Sequence, residues 1–179
     1  MKTYSGLITE LNNNQIQIFG SNPEGRHGKG TAKITKDKYG AIYGKGRGLQ
    51  GQSYALVTTS LKKDYLEEST GIFYLDKGKR GVSPHLIIEN IEELYLFALE
   101  NYKLEFLIAY TANAVLLNGY TPKELAKMFY LASLKIGEIP DNIIFNNEFY
   151  KLIVKKNQYT QFILYNWRLK WFIKYDFIL

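Results

Sequence analysis

The residues best suited to chemistry in this chain sit in two glycine-rich stretches. The first reads Gly20-Ser21-Asn22-Pro23-Glu24-Gly25-Arg26-His27-Gly28-Lys29-Gly30-Thr31-Ala32, the second Gly44-Lys45-Gly46-Arg47-Gly48-Leu49-Gln50-Gly51. Nine of the 15 glycines fall between Gly20 and Gly51, which marks backbone folded closely around something. Two familiar phosphate motifs fail here. Walker A needs Ser or Thr after Gly-Lys, but Gly30 follows Gly28-Lys29, and Pro23 stands where the leading glycine belongs. Gly46-Arg47-Gly48-Leu49-Gln50-Gly51 fits the dinucleotide pattern in letters, yet it leads into an apolar strand-like run where a helix is required.

The first stretch fits an anion better. A strand, then Gly20-Ser21-Asn22, then Gly28-Lys29-Gly30-Thr31 entering a helix, offers a row of backbone amides and a helix N-terminus. Arg26 and Lys29 lie beside them, and Asn22 has both a donor and an acceptor for a ribose hydroxyl or for an Asx turn. His27 is a general acid or base by type, or a polar loop residue. Gln50, Gly51 and Ser53 are ligand candidates in the second stretch, or they satisfy loop backbone; Lys45 and Arg47 are candidate phosphate clamps. His85, next to Pro84, reads as a cap or surface residue.

The positioning elements follow from periodicity. Gly6 to Leu11 reads as a strand before the Asn12-Asn13-Asn14 turn, and Gln15-Ile16-Gln17-Ile18-Phe19 as a strand of period two. Thr31 to Lys38 reads as a helix closed by Gly40, and Ser53 to Thr59 as a buried strand. Residues 60–83 read as a loop with a short strand at Ile72 to Leu75. A helix from Ser83-Pro84 to about Tyr102 buries Ile87, Ile91, Leu94, Tyr95 and Ala98. Leu104 to Tyr110 is strand-like, Thr121-Pro122-Lys123-Glu124 opens a helix with a capping box, and Asn142 to Phe145 is a closing strand. Strands alternating with helices predict a layered α/β fold whose ligand lies at the carboxyl ends of strands.

Composition narrows the function classes. A net charge of +6 favours anionic partners. The absence of Cys excludes disulfides and thiolate metal sites, and two histidines exclude a multi-histidine zinc centre, so no metal or cofactor is expected. Neither a signal-peptide core nor a membrane-length apolar run is present, so no membrane partner is expected and the cytoplasm is the expected compartment. From Asn166 onward, Trp167, Leu169, Trp171, Ile173, Tyr175, Phe177 and Leu179 alternate with mostly polar residues. That is a strand pattern with one aromatic face, suited to the chain's own core or to a homodimer edge.

Phe19-Gly20-Ser21-Asn22 followed by a Gly-x-Gly-x-Ala helix entry resembles the first ligand loop of macro domains, which bind ADP-ribose. The run from Phe19 to Ala55, with Phe106-Leu107-Ile108, Asn118-Gly119-Tyr120-Thr121 and Asn142-Ile143-Ile144-Phe145, is similar to a macro-domain-like family of uncharacterised bacterial and phage proteins. The resemblance spans roughly residues 15–150. It implies a three-layer α/β/α macro-like domain with a mixed sheet over 1–156, and leaves 157–179 as a C-terminal strand or hairpin extension packing on the domain or a partner. It also implies that Asn22 contacts the distal ribose and that Gly28 and Gly30 approach the diphosphate; Gly20, Ser21, Lys29, Thr31, Thr111 and Gly119 are further ligand-binding candidates. The segment Thr111 to Gly119 departs from the family's glycine-rich second phosphate loop, since it keeps Gly119 alone.

Three readings stay open. The first is a binding module for an ADP-ribose-like nucleotide. The second is a hydrolase of ADP-ribosyl or ribose-phosphate ester bonds, using His27 or a water held by Asn22. The third is a single-stranded nucleic-acid binder using the positive charge and the aromatic tail.

Overall fold

The computed structural model describes residues 2–110 and 116–154. Its central strand is β2 (Gln15–Ser21), whose alternation serves two cores at once. Ile16 and Ile18 belong to the large core, while Phe19 joins Ala41 and Ala55 in a smaller one on the other face. The remaining strands are β1 (Thr3–Tyr4), β3 (Gly48–Gln50), β4 (Ser53–Val57), β5 (Tyr65–Glu67), β6 (Ile72–Tyr74), β7 (Glu105–Ile108) and β8 (Ile143–Asn146). Six of them form a mixed sheet in the order β1-β8-β7-β2-β4-β3, parallel throughout except for the antiparallel edge β3; β5 and β6 make a separate hairpin. Helix α1 (Gly30–Tyr39) lies on one face of the sheet. Helices α2 (Pro84–Glu100) and α3 (Pro122–Ile136) pack together on the other, joined by Phe149 and Ile153 of a helix over 147–154, α4. The fold is therefore α/β, with helices on both faces of a mixed six-stranded sheet.

Local chemistry explains the helix boundaries. Gly40 closes α1 at φ 81°, its N–H donating to Thr35 O. Ser83 caps α2 by accepting from Leu86 N, and Thr121 and Glu124 complete the capping box of α3. The stripe Ile87, Ile91, Leu94, Tyr95 and Ala98 is fully buried, as its spacing predicts.

Three expectations change. Residues 6–11 are not a strand; the sheet takes only Thr3–Tyr4 from the N-terminus, anchored by the Tyr4 hydroxyl donating to Ile108 O, and Leu7 is exposed. Part of the second glycine stretch is the edge strand β3, paired to β4 through a turn at Gly51 and Gln52. Residues 60–83 carry β5 as well as β6, because Glu67 is drawn inward by an arginine and so holds an otherwise unremarkable segment in register. The aromatic alternation after Asn166 lies outside the described residues, as does the 157–179 extension.

Candidate functional site

Chain order fixes where a crevice opens. From β2 the chain passes through α1 to β4 on one side, then returns through α2 to β7 and through α3 to β8 on the other. The direction of winding reverses between β2 and β7, and ligands of open parallel sheets bind beyond the carboxyl ends of strands at such a point. Two connections meet there: residues 22–29 after β2 and, after β7, residues 109–110 and 116–121.

The first connection delivers the N-terminus of α1. Lys29 is its cap residue in extended conformation (φ −144°, ψ 159°), makes no side-chain capping bond, and no acidic residue occupies the first turn. The leading amides of α1 are thus unclaimed by any side-chain cap, and the positive end of the helix dipole faces outward. Gly28, Lys29 and Gly30 are exposed and Thr31 is half-buried. Among the described residues, a Cβ at Gly28 would meet nothing within 4 Å, and one at Gly30 would meet only Leu117 Cδ1, at 4.0 Å. Leu117 belongs to the second connection, so the two loops face each other across this opening.

The rest of the first loop is fastened inward. Asn22 donates from Nδ2 to Arg26 O (3.0 Å) and accepts at Oδ1 from Arg26 N (2.9 Å), the Asx-type closure rather than a ribose contact. His27 is fully buried, edge-on to Phe19 at 5.0 Å, with Nε2 3.2 Å from Ser21 Oγ. Its Nδ1 has no hydrogen-bond partner among the described residues. Burial first, and the charge of Lys36 second, lower the affinity of the His27 ring for a proton. A neutral ring sealed beneath the loop does not reach a molecule in the opening, so acid–base work by His27 has no geometric support in this state. Gly20 packs close to Thr58, where an added Cβ would lie 3.1 Å from Oγ1, and Ser21 is buried with His27.

The second glycine stretch serves the first from behind. A Cβ on Gly46 would fall 2.3 Å from Asn22 O, and one on Gly25 2.3 Å from Gly44 C, so the two stretches touch backbone to backbone. The buried Gln50 accepts from Ile42 N at 2.6 Å and donates to Lys45 O at 2.9 Å; Ser53 Oγ donates to Gln50 O at 2.6 Å. Gly51 lies against Tyr39 and Gly40, at the far end of α1. A ten-residue helix is about 15 Å long. Gln50, Gly51 and Ser53 are therefore not brought together with Gly28, Lys29, Gly30 and Thr31, and the single cleft expected from the sequence divides into a site and its scaffold.

Arg47 is also withdrawn from any ligand. It grips Glu67 at two points (Nε–Oε1 3.1 Å, Nη2–Oε2 2.9 Å) and donates to Asn90, Glu93 and Tyr74. Burial opposes both charges, and the mutual hydrogen bonds outweigh it: Arg47 is held above its ordinary pKa and Glu67 below. This knot ties β3, the β5–β6 hairpin and α2 together.

In the second connection, Thr111 lies outside the described residues. Gly119 (φ 78°) is braced by Lys79, whose Cβ would be 2.8 Å from an added Cβ. Arg80 N donates to Asn118 O (2.7 Å), and its guanidinium covers Tyr120 and pairs with Glu124. Sequence reasoning missed a cavity of about 470 Å³ beside this connection, at the carboxyl ends of β1, β7 and β8. Tyr110, Tyr150, Asn147 and Leu7 are among its walls. The only advance signal was the aromatic excess, which does not say where rings converge. Among the described residues, no group of three or more His, Asp or Glu is placed to hold a metal ion, and no helix is long and apolar enough to cross a membrane.

These features define an α/β protein whose α1 N-terminus lies at the winding reversal of its sheet. No protein-family model matches the chain, and no curated protein matches it. A solved structure described as a protein of unknown function from Bacteroides thetaiotaomicron is similar, with 12% identity and a TM-score of 0.47 over 81% of this chain and 96% of that one.

Proposed function

We propose that the protein binds an ADP-ribose-like phosphorylated nucleotide at the carboxyl ends of β2, β7 and β8. The observation that carries this reading is the N-terminus of α1 at the winding reversal, without a side-chain cap among the described residues, with Gly28 and Gly30 exposed and Lys29 beside them. Such an end is suited to a phosphate oxygen, each favourable charge contributing about 0.3–1 kcal/mol at an exposed position. With a single glycine in 111–119, the diphosphate relies on the α1 side. The cavity walled by Tyr110 and Tyr150 is wide enough for a base and offers rings to stack on it. Asn22 and His27 act indirectly, shaping the loop that presents the amides. The macro-like resemblance of the sequence points to the same ligand class.

Isothermal titration calorimetry with ADP-ribose, ADP and ribose 5-phosphate tests this. Saturable heat with ADP-ribose, weaker with either fragment, is expected. No heat for any of the three at high micromolar ligand would contradict it.

A further inference from the structure

The net charge of this chain is not spread over it. Residues 26–45 contain Arg26, Lys29, Lys33, Lys36, Lys38 and Lys45 against the single acid Asp37, a local charge of +5 in a chain of +6. The other residues carry 17 Lys and Arg against 16 Asp and Glu. That segment is α1 with its flanks, and among the described residues α1 is the one helix on its face of the sheet while α2 and α3 share the other. Arg26, Lys29, Lys33, Lys36, Lys38 and Lys45 are all exposed. Lys33 and Lys36 pair with Asp37 on the same helix, leaving one acid against the whole cluster.

We infer that the outer face of α1 is a binding surface for single-stranded nucleic acid, running along the helix from Lys29 at the edge of the nucleotide opening. Three observations favour this polyanion. Lys29, Lys33 and Lys36 follow at spacings of four and three, on one flank of the helix with about 5–6 Å between neighbours, so successive cations meet successive phosphates of an extended strand. Ile34, elsewhere on the outer surface of α1, and Ile42 and Tyr43 in the loop after it are exposed, offering apolar and aromatic contact that unstacked bases use and a duplex conceals. Arg26 holds Tyr43 in place, its Nη1 donating to the phenol oxygen at 2.6 Å and its guanidinium 5.6 Å from the ring centre, so the platform is formed before a base arrives.

The test is fluorescence anisotropy with a labelled twenty-nucleotide oligo-dT strand and a duplex of equal length, between 50 and 200 mM salt. Engagement of three to five phosphates predicts that affinity for the single strand falls by about 20-fold to 100-fold across that range. The triple variant Lys33→Gln, Lys36→Gln, Lys38→Gln should weaken binding about tenfold or more and flatten the salt dependence. Tyr43→Ala should weaken the single strand several-fold at unchanged salt slope. Lys63→Gln, Lys123→Gln, Lys127→Gln, three exposed lysines elsewhere, should stay within about twofold, and thermal melting checks that each variant is folded. No binding at 50 mM salt overturns the inference. So does an equal loss in the control triple, tighter binding of the duplex, or displacement of the strand by poly-glutamate at matched charge, which would make an acidic protein the partner. ADP-ribose calorimetry is read separately: none of the test variants touches Gly28 to Thr31, so either reading can fail alone.

Discussion

Asn22 and Arg26 close a loop on each other, the carboxamide of one donating to and accepting from the backbone of the other at 3.0 and 2.9 Å. The five residues from Asn22 to Arg26 are pinned into a turn that leads toward α1. Removing the amide strands a part-buried pair of backbone groups. Asn22→Ala should therefore cost about 1–3 kcal/mol in chemical denaturation, while Asn22→Asp, which keeps the acceptor, should cost less. Equal stability of Asn22→Ala and the parent would show that the closure contributes nothing.

Gly46 and Gly28 look alike in the sequence and do different work. An added methyl at Gly46 meets Asn22 O and Pro23 O at 2.3 and 2.8 Å, whereas one at Gly28 meets nothing within 4 Å. Gly46→Ala should lower stability by about 1–3 kcal/mol through a forced backbone shift. Gly28→Val should leave the melting temperature nearly unchanged and weaken nucleotide binding in calorimetry. A stable Gly46→Ala, or a Gly28→Val that binds as the parent does, would contradict these assignments.

Arg47 and Glu67 form the least exposed ion pair among the described residues, with side chains 16% and 6% exposed. Taking away one member leaves the other charged and buried. Arg47→Ala should destabilise by about 3–5 kcal/mol, a fall in melting temperature on the order of 10 °C. Arg47→Lys should not restore it, since an ammonium cannot reproduce the two-point grip. The double variant Arg47→Met, Glu67→Gln should recover part of the loss. Calorimetric melting of the four proteins decides.

His27 gives a pH dependence with a definite sign. Its folded pKa lies below the ordinary value of 6.5, so between the two the unfolded chain binds a proton that the folded chain does not. Stability should then fall as pH falls below about 6.5, levelling off below the folded pKa. His27→Gln, neutral and still able to bond Ser21, should show a shallower slope over pH 5.5–7 in urea denaturation. Identical slopes would mean that the ring is free to protonate in place.

Much of the fold was legible because one-dimensional signals matched local physics. Thr121 and Glu124 announce the start of α3, Gly40 ends α1, and the buried face of α2 follows its apolar spacing. The strand β3 was hidden because glycine clusters serve edge strands and loops alike. The role of Arg47 was hidden because Glu67, Tyr74 and Asn90 lie 20 to 43 residues away from it. Of the candidate residues, Gly28 to Thr31 stand at the entry to α1, the helix entry expected from the sequence. Gln50, Gly51 and Ser53 do not, since composition groups the two glycine stretches while the length of α1 separates their far ends.

If, as proposed, a nucleotide phosphate sits on the N-terminus of α1, amide chemical shifts report it residue by residue. Titrating ADP-ribose into isotopically labelled protein should move the backbone amides of Gly28, Lys29, Gly30 and Thr31 most among the loop signals. Those of Gln50, Gly51 and Ser53, at the opposite end of the helix, should stay in place. Shifts confined to the Gly51 end, or none at saturating ligand, would contradict the account.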